Sequence, residues 1–355
     1  MQLDIVIPCF NEEVVLKEIH LRVKKILEEV KEKKLIDDYN IIYVDDGSND
    51  GTFEILEKYS QKDQSVKALS FSRNFGHQAA LSAGLKFSKG DAVISLDADL
   101  QDPPELIETM LQRFNEGFEI VYGVRDDREQ DTFFKRTSAT WFYKLMLWFG
   151  VQIIPHHAEY RLISRQVLEA FKQYEEVNIF IRGIFPIIGF ESCKVTYKRD
   201  PRFAGKTKYP LKAMLKFGFE GITSFSVIPL RIASVAGAFV CFITLLASAW
   251  GFLTYFIGNT IPGWTSTVLP IYFLGGVQLI FLGLLGEYIG KIFLEVKKRP
   301  RYIIRNALSI SDKKNKDLFD ANNASRIPLN QITKIQILNN IPPSEIELFC
   351  PSQML

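Results

Sequence analysis

Two long stretches without a single charged side chain, residues 232–256 and 269–286, constrain this chain more than any other feature. Crossing a hydrocarbon layer of roughly 30 Å takes about 20 helical residues, so each stretch is long enough to span a bilayer. One such run is compatible with the buried helix of a large soluble protein. Two in succession, joined by a short uncharged connector at 258–267, point instead to a membrane hairpin. Lys206, Lys208, Lys212, Lys216 and Arg231 precede the first run; Lys291, Lys297, Lys298, Arg299, Arg301 and Arg305 follow the second. Lys and Arg are enriched on the cytoplasmic side of membrane helices, so both flanks are expected in the cytoplasm and the connector outside. The expected layout is a cytoplasmic domain over 1–228, a hairpin over 229–293 (helices at about 232–256 and 269–293), and a cytoplasmic basic segment with a weakly ordered tail over 294–355.

The first two hundred residues follow a different pattern. Short apolar runs at 3–8, 40–44, 66–70, 92–96 and 120–122 read as strands, and amphipathic stretches at 12–33, 51–60, 77–87 and 103–115 read as helices. Nearly all-apolar strands alternating with helices argue for an α/β fold with a parallel sheet covered on both faces. Two further stretches, 133–149 and 210–225, interleave Lys and Arg with aromatic and aliphatic residues, as helices lying in a lipid interface do; ordinary packing helices with solvated lysines fit the same pattern. A net charge of +2 gives no global attraction to nucleic acid, and none is expected as a partner. Cys9, Cys193, Cys241 and Cys350 lack metal-ligand spacing and read as reduced thiols.

Three loops, each directly after a strand, carry candidate chemistry. In Ser95-Leu96-Asp97-Ala98-Asp99-Leu100-Gln101-Asp102-Pro103-Pro104-Glu105 two carboxylates spaced i, i+2 stand at the carboxyl end of a strand, where open α/β sheets bind ligands. Hard oxygen ligands suit Mg²⁺ or Mn²⁺ shared with substrate phosphates, whereas a solvated turn capping the next helix is the plainer reading. In Tyr43-Val44-Asp45-Asp46-Gly47-Ser48-Asn49-Asp50-Gly51-Thr52, Asp46 is placed to accept from a base N–H, although turn and N-cap chemistry explains the same residues. In Ile7-Pro8-Cys9-Phe10-Asn11-Glu12-Glu13, Pro8 stiffens the loop and Phe10 offers a face for a base. A dehydrogenase is excluded by the lack of G-x-G-x-x-G after the first strand.

These blocks, with Arg73-Asn74-Phe75-Gly76, resemble the signatures of family 2 glycosyltransferases. Arg202-Phe203-Ala204-Gly205-Lys206-Thr207-Lys208-Tyr209 is similar to a segment of the polyprenyl-phosphate branch, near dolichol-phosphate mannose synthase. Leu285-Gly286-Glu287-Tyr288-Ile289-Gly290-Lys291 and Glu295-Val296-Lys297-Lys298-Arg299-Pro300 resemble the end of the second membrane helix in bacterial bactoprenol glucosyltransferases. The likeness covers about residues 1–305.

The resemblance implies an A-type (GT-A) nucleotide-sugar transferase domain, metal-dependent, with catalytic Asp97, Asp99 and Glu159. Asp97, Asp99 and Gln101 would hold Mg²⁺ or Mn²⁺ on the donor diphosphate. Pro8, Phe10, Glu12, Asp46 and Ala98 would contact the donor, Arg202 and Lys208 would clamp its departing phosphate, and Arg125 and Arg136 would take the acceptor phosphate. One departure stands out: the family often shows Asp-Phe-Arg-Leu where this chain has Glu159-Tyr160-Arg161-Leu162, and His156 and His157 just before it read as structural or solvated.

The implied reaction is an inverting transfer of a sugar from a nucleotide diphosphate, UDP-glucose first, to undecaprenyl or another polyprenyl phosphate. UDP-N-acetylglucosamine or a modified arabinose donor is the alternative, as is a non-catalytic membrane scaffold that keeps the fold. A bacterial inner-membrane site with both termini cytoplasmic, and self-association, complete what the likeness implies. A processive polysaccharide synthase would want Gln-x-x-Arg-Trp and more membrane helices.

Overall fold

The computed structural model describes residues 1–126, 146, 148–150, 154, 157–177, 179–198, 222–224, 226–256 and 264–309. Its elements run β1 (Gln2–Cys9), α1 (Glu13–Glu32), β2 (Asp38–Asp45), α2 (Thr52–Lys62), β3 (Val66–Phe71), α3 (His77–Phe87), β4 (Ala92–Ser95), α4 (Leu106–Asn115) and β5 (Ile120–Arg125). After these come β6 (His157–Ser164), α5 (Arg165–Lys172), α6 (Ile181–Ile188), β7 (Ser192–Tyr197), α7 (Ile228–Phe256), α8 (Trp264–Lys297) and β8 (Ile304–Leu308). The expected helices at 133–149 and 210–225, and the tail from 310, lie almost wholly outside the described residues.

The strands form one sheet in the order β7-β5-β6-β4-β1-β2-β3-β8. β1 runs parallel to β2 on one side and to β4 on the other, β2 is parallel to β3, and β5 to β7. The sheet is mostly parallel, as the resemblance implies; the exceptions are β6, antiparallel between β4 and β5, and β8, which caps the outer edge of β3 in antiparallel register. β8 carries the chain as a strand through Leu308, past the Asn306 at which the tail was expected to begin.

Why β1 sits centrally follows from its side chains. Residues 3–9 are all buried, so both faces need cover. One cover is α1, whose Val15, Leu16, Ile19, Val23, Leu27 and Val30 recur at helical spacing and all join the core. The other is α3, which approaches so closely that a Cβ on Gly84 would stand 2.2 Å from Cγ1 of Val6. Only glycine permits that distance.

Because β1 pairs with β2 on one side and β4 on the other, the strand order reverses at β1. A crevice therefore opens above the carboxyl ends of β1, β2 and β4, the place where such sheets bind ligands. The three loops singled out in the sequence all start there.

α7 and α8 are 29 and 34 residues long, about 43 and 51 Å at 1.5 Å per residue. Their large apolar side chains face outward: Phe239, Trp250, Leu279, Ile280 and Leu282 are all more than half exposed. Among the described residues one segment, Phe273–Lys297, is long and apolar enough to cross a membrane by length and hydropathy.

Candidate active site

The loop after β4 is fixed from below. Asp97 stands two residues past the end of β4, and Leu100 adopts a left-handed conformation (φ 58°) that turns the chain. Gln101 N–H donates to Asp99 Oδ1 at 3.2 Å. Asp102, which is buried, accepts from Arg125 Nε at 3.0 Å and Nη2 at 2.9 Å, and from the Tyr197 hydroxyl at 2.5 Å. Tyr160 hydroxyl donates to the Pro103 carbonyl at 3.1 Å. Side chains from β5, β6 and β7 thus hold one loop. Burial opposes the charge on Arg125, yet the Asp102 carboxylate outweighs it and holds the guanidinium's pKa above its usual value.

Asp97 is the group this bracing presents. Its Oδ1 is buried and accepts no hydrogen bond among the described residues, while the side chain as a whole is 24% exposed. His77 Nε2, at the start of α3, lies 3.4 Å from it. A buried carboxylate oxygen that accepts no hydrogen bond is costly, and a hard cation would complete it. No group of three or more His, Cys, Asp or Glu converges among the described residues, so a cation held by Asp97 and Asp99, with Gln101, would draw its remaining ligands from substrate oxygens. The donor set fits Mg²⁺ or Mn²⁺ on those terms.

The β2 loop holds its neighbours together. Asp46 accepts from the backbone N–H of Phe75 at 2.7 Å and of Gly76 at 2.9 Å, so both its oxygens support the 73–76 turn; the sequence reading had one of them facing a nucleobase. Burial raises the Asp46 carboxyl, and the two backbone bonds oppose that rise. Gly47 has φ 70°, and a Cβ there would lie 2.4 Å from the Arg73 backbone. The β1 loop is zipped to the same region: Asn11 N–H donates to Ser48 Oγ at 2.9 Å and Glu12 N–H to Thr52 Oγ1 at 3.0 Å. Pro8 pairs opposite Val44, and Phe10 remains half-buried at the rim.

Glu159 occupies a different position from a free carboxylate. It is 2% exposed and accepts from Arg182 Nε at 2.7 Å, from Gln78 Nε2 at 3.1 Å, and from Arg161. Burial pushes its pKa up, but Arg161 and Arg182 more than reverse that and hold it well below the usual carboxylate range. Glu159 is thus a carboxylate held ionised between two guanidiniums. His157, two residues earlier on the same face of β6, donates from Nδ1 to the Ile154 carbonyl at 2.7 Å and is buried in neutral form, its pKa lowered to about 3 by burial and by Arg161 and Arg182.

The structure brings together Pro8, Phe10, Glu12, Asp46, Asp97, Ala98, Asp99 and Gln101 around the switch point, with Arg125 bound to the same loop. Arg136, Arg202 and Lys208 lie outside the described residues. Sequence reasoning missed the roles of His77, Gln78, Asp102, Arg182 and Tyr197. The first two sit directly after the quoted Arg-Asn-Phe-Gly block; Arg182 and Tyr197 carry no sequence signal.

A mostly parallel α/β sheet whose switch point carries a braced Asp-x-Asp loop is the arrangement of GT-A-like sugar-nucleotide transferases. Residues 4–172 match the family model described as Glycosyl transferase family 2. An uncharacterized glycosyltransferase of Bacillus subtilis (strain 168), YkoT, is 48% identical over 305 residues, 85% of this chain and 90% of its own. The bactoprenol glucosyl transferase of Shigella phage SfX is 41% identical over 308 residues, 86% and 99% of the two chains. The prophage bactoprenol glucosyl transferase homolog of Escherichia coli (strain K12) is 40% identical over 307 residues, 86% and 99%. The chain belongs to glycosyl transferase family 2. A Mycobacterium tuberculosis glucosyl-3-phosphoglycerate synthase solved with Mn²⁺ and UDP aligns at TM-score 0.42 and 18% identity over 62% of this chain and 76% of its own, a likeness too weak to support an argument about this site.

Proposed function

We propose that this protein transfers glucose from UDP-glucose to a polyprenyl phosphate at the cytoplasmic face of a membrane, giving a lipid-linked monosaccharide. Asp97 carries the reading: a buried carboxylate oxygen, with no hydrogen bond among the described residues and His77 Nε2 3.4 Å away, stands at the switch point of a family 2 glycosyltransferase. The bactoprenol glucosyl transferases that match nearly end to end support the choice of acceptor and sugar.

The chemistry follows from charge. An acceptor phosphate has a second pKa near 6 and is anionic at pH 7, so it attacks the anomeric carbon without a strong base. That agrees with a Glu159 that is held ionised between two arginines. The barrier is repulsion between phosphates: two unit charges about 4 Å apart cost roughly 4 kcal/mol at an effective dielectric near 20. Asp97 and Asp99, with Gln101, would hold a divalent ion whose contribution is to neutralise the donor diphosphate. The chain's own residues do the positioning. Pro8, Phe10, Glu12, Asp46 and Ala98 shape the donor side, Arg202 and Lys208 clamp the departing diphosphate, and Arg125 and Arg136 receive the acceptor phosphate. In-line displacement inverts the anomeric centre.

A membrane hairpin of α7 and α8 gives this chemistry its location. A polyprenyl tail stays in lipid, so the site must meet the headgroup at the surface, with the basic flanks on the cytoplasmic side.

The test offers purified protein a panel of nucleotide sugars with undecaprenyl phosphate and Mg²⁺ or Mn²⁺. UDP-glucose is expected to give lipid-linked product. Product from UDP-N-acetylglucosamine or a modified arabinose donor alone would replace the sugar, and no product from any donor would favour a non-catalytic scaffold.

A further inference from the structure

The segment Glu295-Val-Lys-Lys-Arg-Pro300 and the residues after it have no part in the chemistry above, yet they make specific contacts. Glu295, near the end of α8, accepts from the backbone N–H of Val177 at 2.9 Å. Arg301 donates from Nη2 to the Tyr174 carbonyl at 2.8 Å and from Nη1 to Ser82 of α3 at 3.5 Å. Tyr302 stacks on Phe71, centroids 5.0 Å apart and planes 7° from parallel, and β8 then joins the sheet beside β3. The end of α8 is thus bonded to the loop between α5 and α6, and Arg301 is half-buried there.

That loop leads directly into the site. It ends at Ile181, whose N–H donates to Gln78 Oε1 at 3.1 Å, while the other end of the Gln78 amide donates to Glu159. The next residue, Arg182, places Nε 2.7 Å from Glu159 Oε1. Glu295 and Arg301 fix the loop at Val177 and Tyr174, and the loop fixes Arg182 and Gln78 on Glu159.

Resting on the proposed glycosyl transfer, we infer that Glu295 and Arg301 are positioning residues. They couple the end of the second apolar helix to the Glu159–Arg182 pair, and so set the polar wall of the site against which the donor sugar is held. Neither touches substrate. A side-chain acceptor at 295 for the Val177 backbone N–H and a double donor at 301 are the features the contacts require.

The test uses the full chain in detergent or nanodiscs, with Glu295→Ala, Arg301→Ala and the conservative Glu295→Gln, which keeps an oxygen for Val177 N–H. A misplacement of about 1 Å set off far from the chemistry can cost up to about a hundredfold in kcat. Glu295→Ala and Arg301→Ala are expected to show that loss with donor KM and Tm little changed, and Glu295→Gln to restore most of the rate. Hydrogen exchange should quicken in 174–182 and not in β1 or β2. This second readout does not depend on which sugar or acceptor is used, so the brace can fail while the transfer reading stands, and the reverse. Unchanged exchange in 174–182, unchanged kcat in both alanine variants, or a rate loss matched by a general fall in Tm would each overturn the inference.

Discussion

Arg125 and Asp102 form a two-point ion pair, Nε to Oδ1 at 3.0 Å and Nη2 to Oδ2 at 2.9 Å, with the Tyr197 hydroxyl donating to the same carboxylate. Asp102 is buried and Arg125 keeps 20% of its side chain in solvent, so the pair joins the core to the surface of the cleft. The arrangement makes Arg125 a brace for the Asp-x-Asp loop as well as a candidate phosphate ligand. Removing one member of a buried pair strands the other charge, at roughly 3–5 kcal/mol. Asp102→Ala should lower unfolding stability toward that range and abolish transfer, whereas Tyr197→Phe, which leaves the ion pair intact, should cost only about 1 kcal/mol. Denaturant melts of the two variants check this. A fully stable Asp102→Ala protein would contradict it.

Gly84 faces Val6 with no room for a side chain. In an exposed helix Gly→Ala gains up to about 1 kcal/mol. Here overpacking against a central strand reverses the sign, and Gly84→Ala is expected to destabilise by about 1–3 kcal/mol. A thermal melt decides: a raised Tm would show that α3 moves away from β1 without penalty.

His157 links stability to pH. Its pKa falls to about 3 in the folded protein, through burial first and then the neighbouring guanidiniums, against about 6.5 when unfolded. The unfolded chain therefore binds the extra proton between those values. Stability from this residue is complete above about pH 6.5 and declines by up to about 1.4 kcal/mol per unit as pH falls toward 3. Unfolding free energies at pH 7.0, 6.0 and 5.0 should show that slope in the wild type and a shallower one in His157→Asn. Glu159 adds its own loss only below the ordinary carboxylate range; His20, lowered by burial, and Asp102, raised by burial to about 6, titrate in the same interval, so the histidine's share is the difference between the two proteins' slopes. Parallel slopes in the two proteins would contradict the assignment.

The sequence carries the switch-point half of the fold clearly and the other half hardly at all. β1, β2 and β3 are apolar along their length and flanked by amphipathic helices, and α3 runs from His77 to Phe87 as its spacing predicts. β6 hides because His157, Glu159 and Arg161 are buried along it, the last two as an ion pair and the histidine in neutral form, rather than facing water. An alternation of polar and apolar residues reads as a half-exposed strand, yet all eight positions are buried. β7 and β8 are edge strands with mixed exposure, too weakly patterned to stand out. Asp97 and Asp99 are legible because their chemistry is local to one loop. The long-range partners that set the roles of Asp46, Asp102 and Glu159 come from 23 to 95 residues away, and only folding reveals them.

A divalent ion held at Asp97 and Asp99 is the centre of the proposed mechanism. Its most direct test measures glucose transfer from UDP-glucose to undecaprenyl phosphate by the wild type with Mn²⁺, by the wild type in chelator, and by Asp99→Ala with Mn²⁺. Asp99 lies in a surface loop, so the substitution should shift stability by no more than about 0.5 kcal/mol. Transfer should be lost in chelator, return when Mn²⁺ or Mg²⁺ is added back, and stay absent in the folded variant. Undiminished transfer in chelator, or by Asp99→Ala, would contradict the metal-centred mechanism.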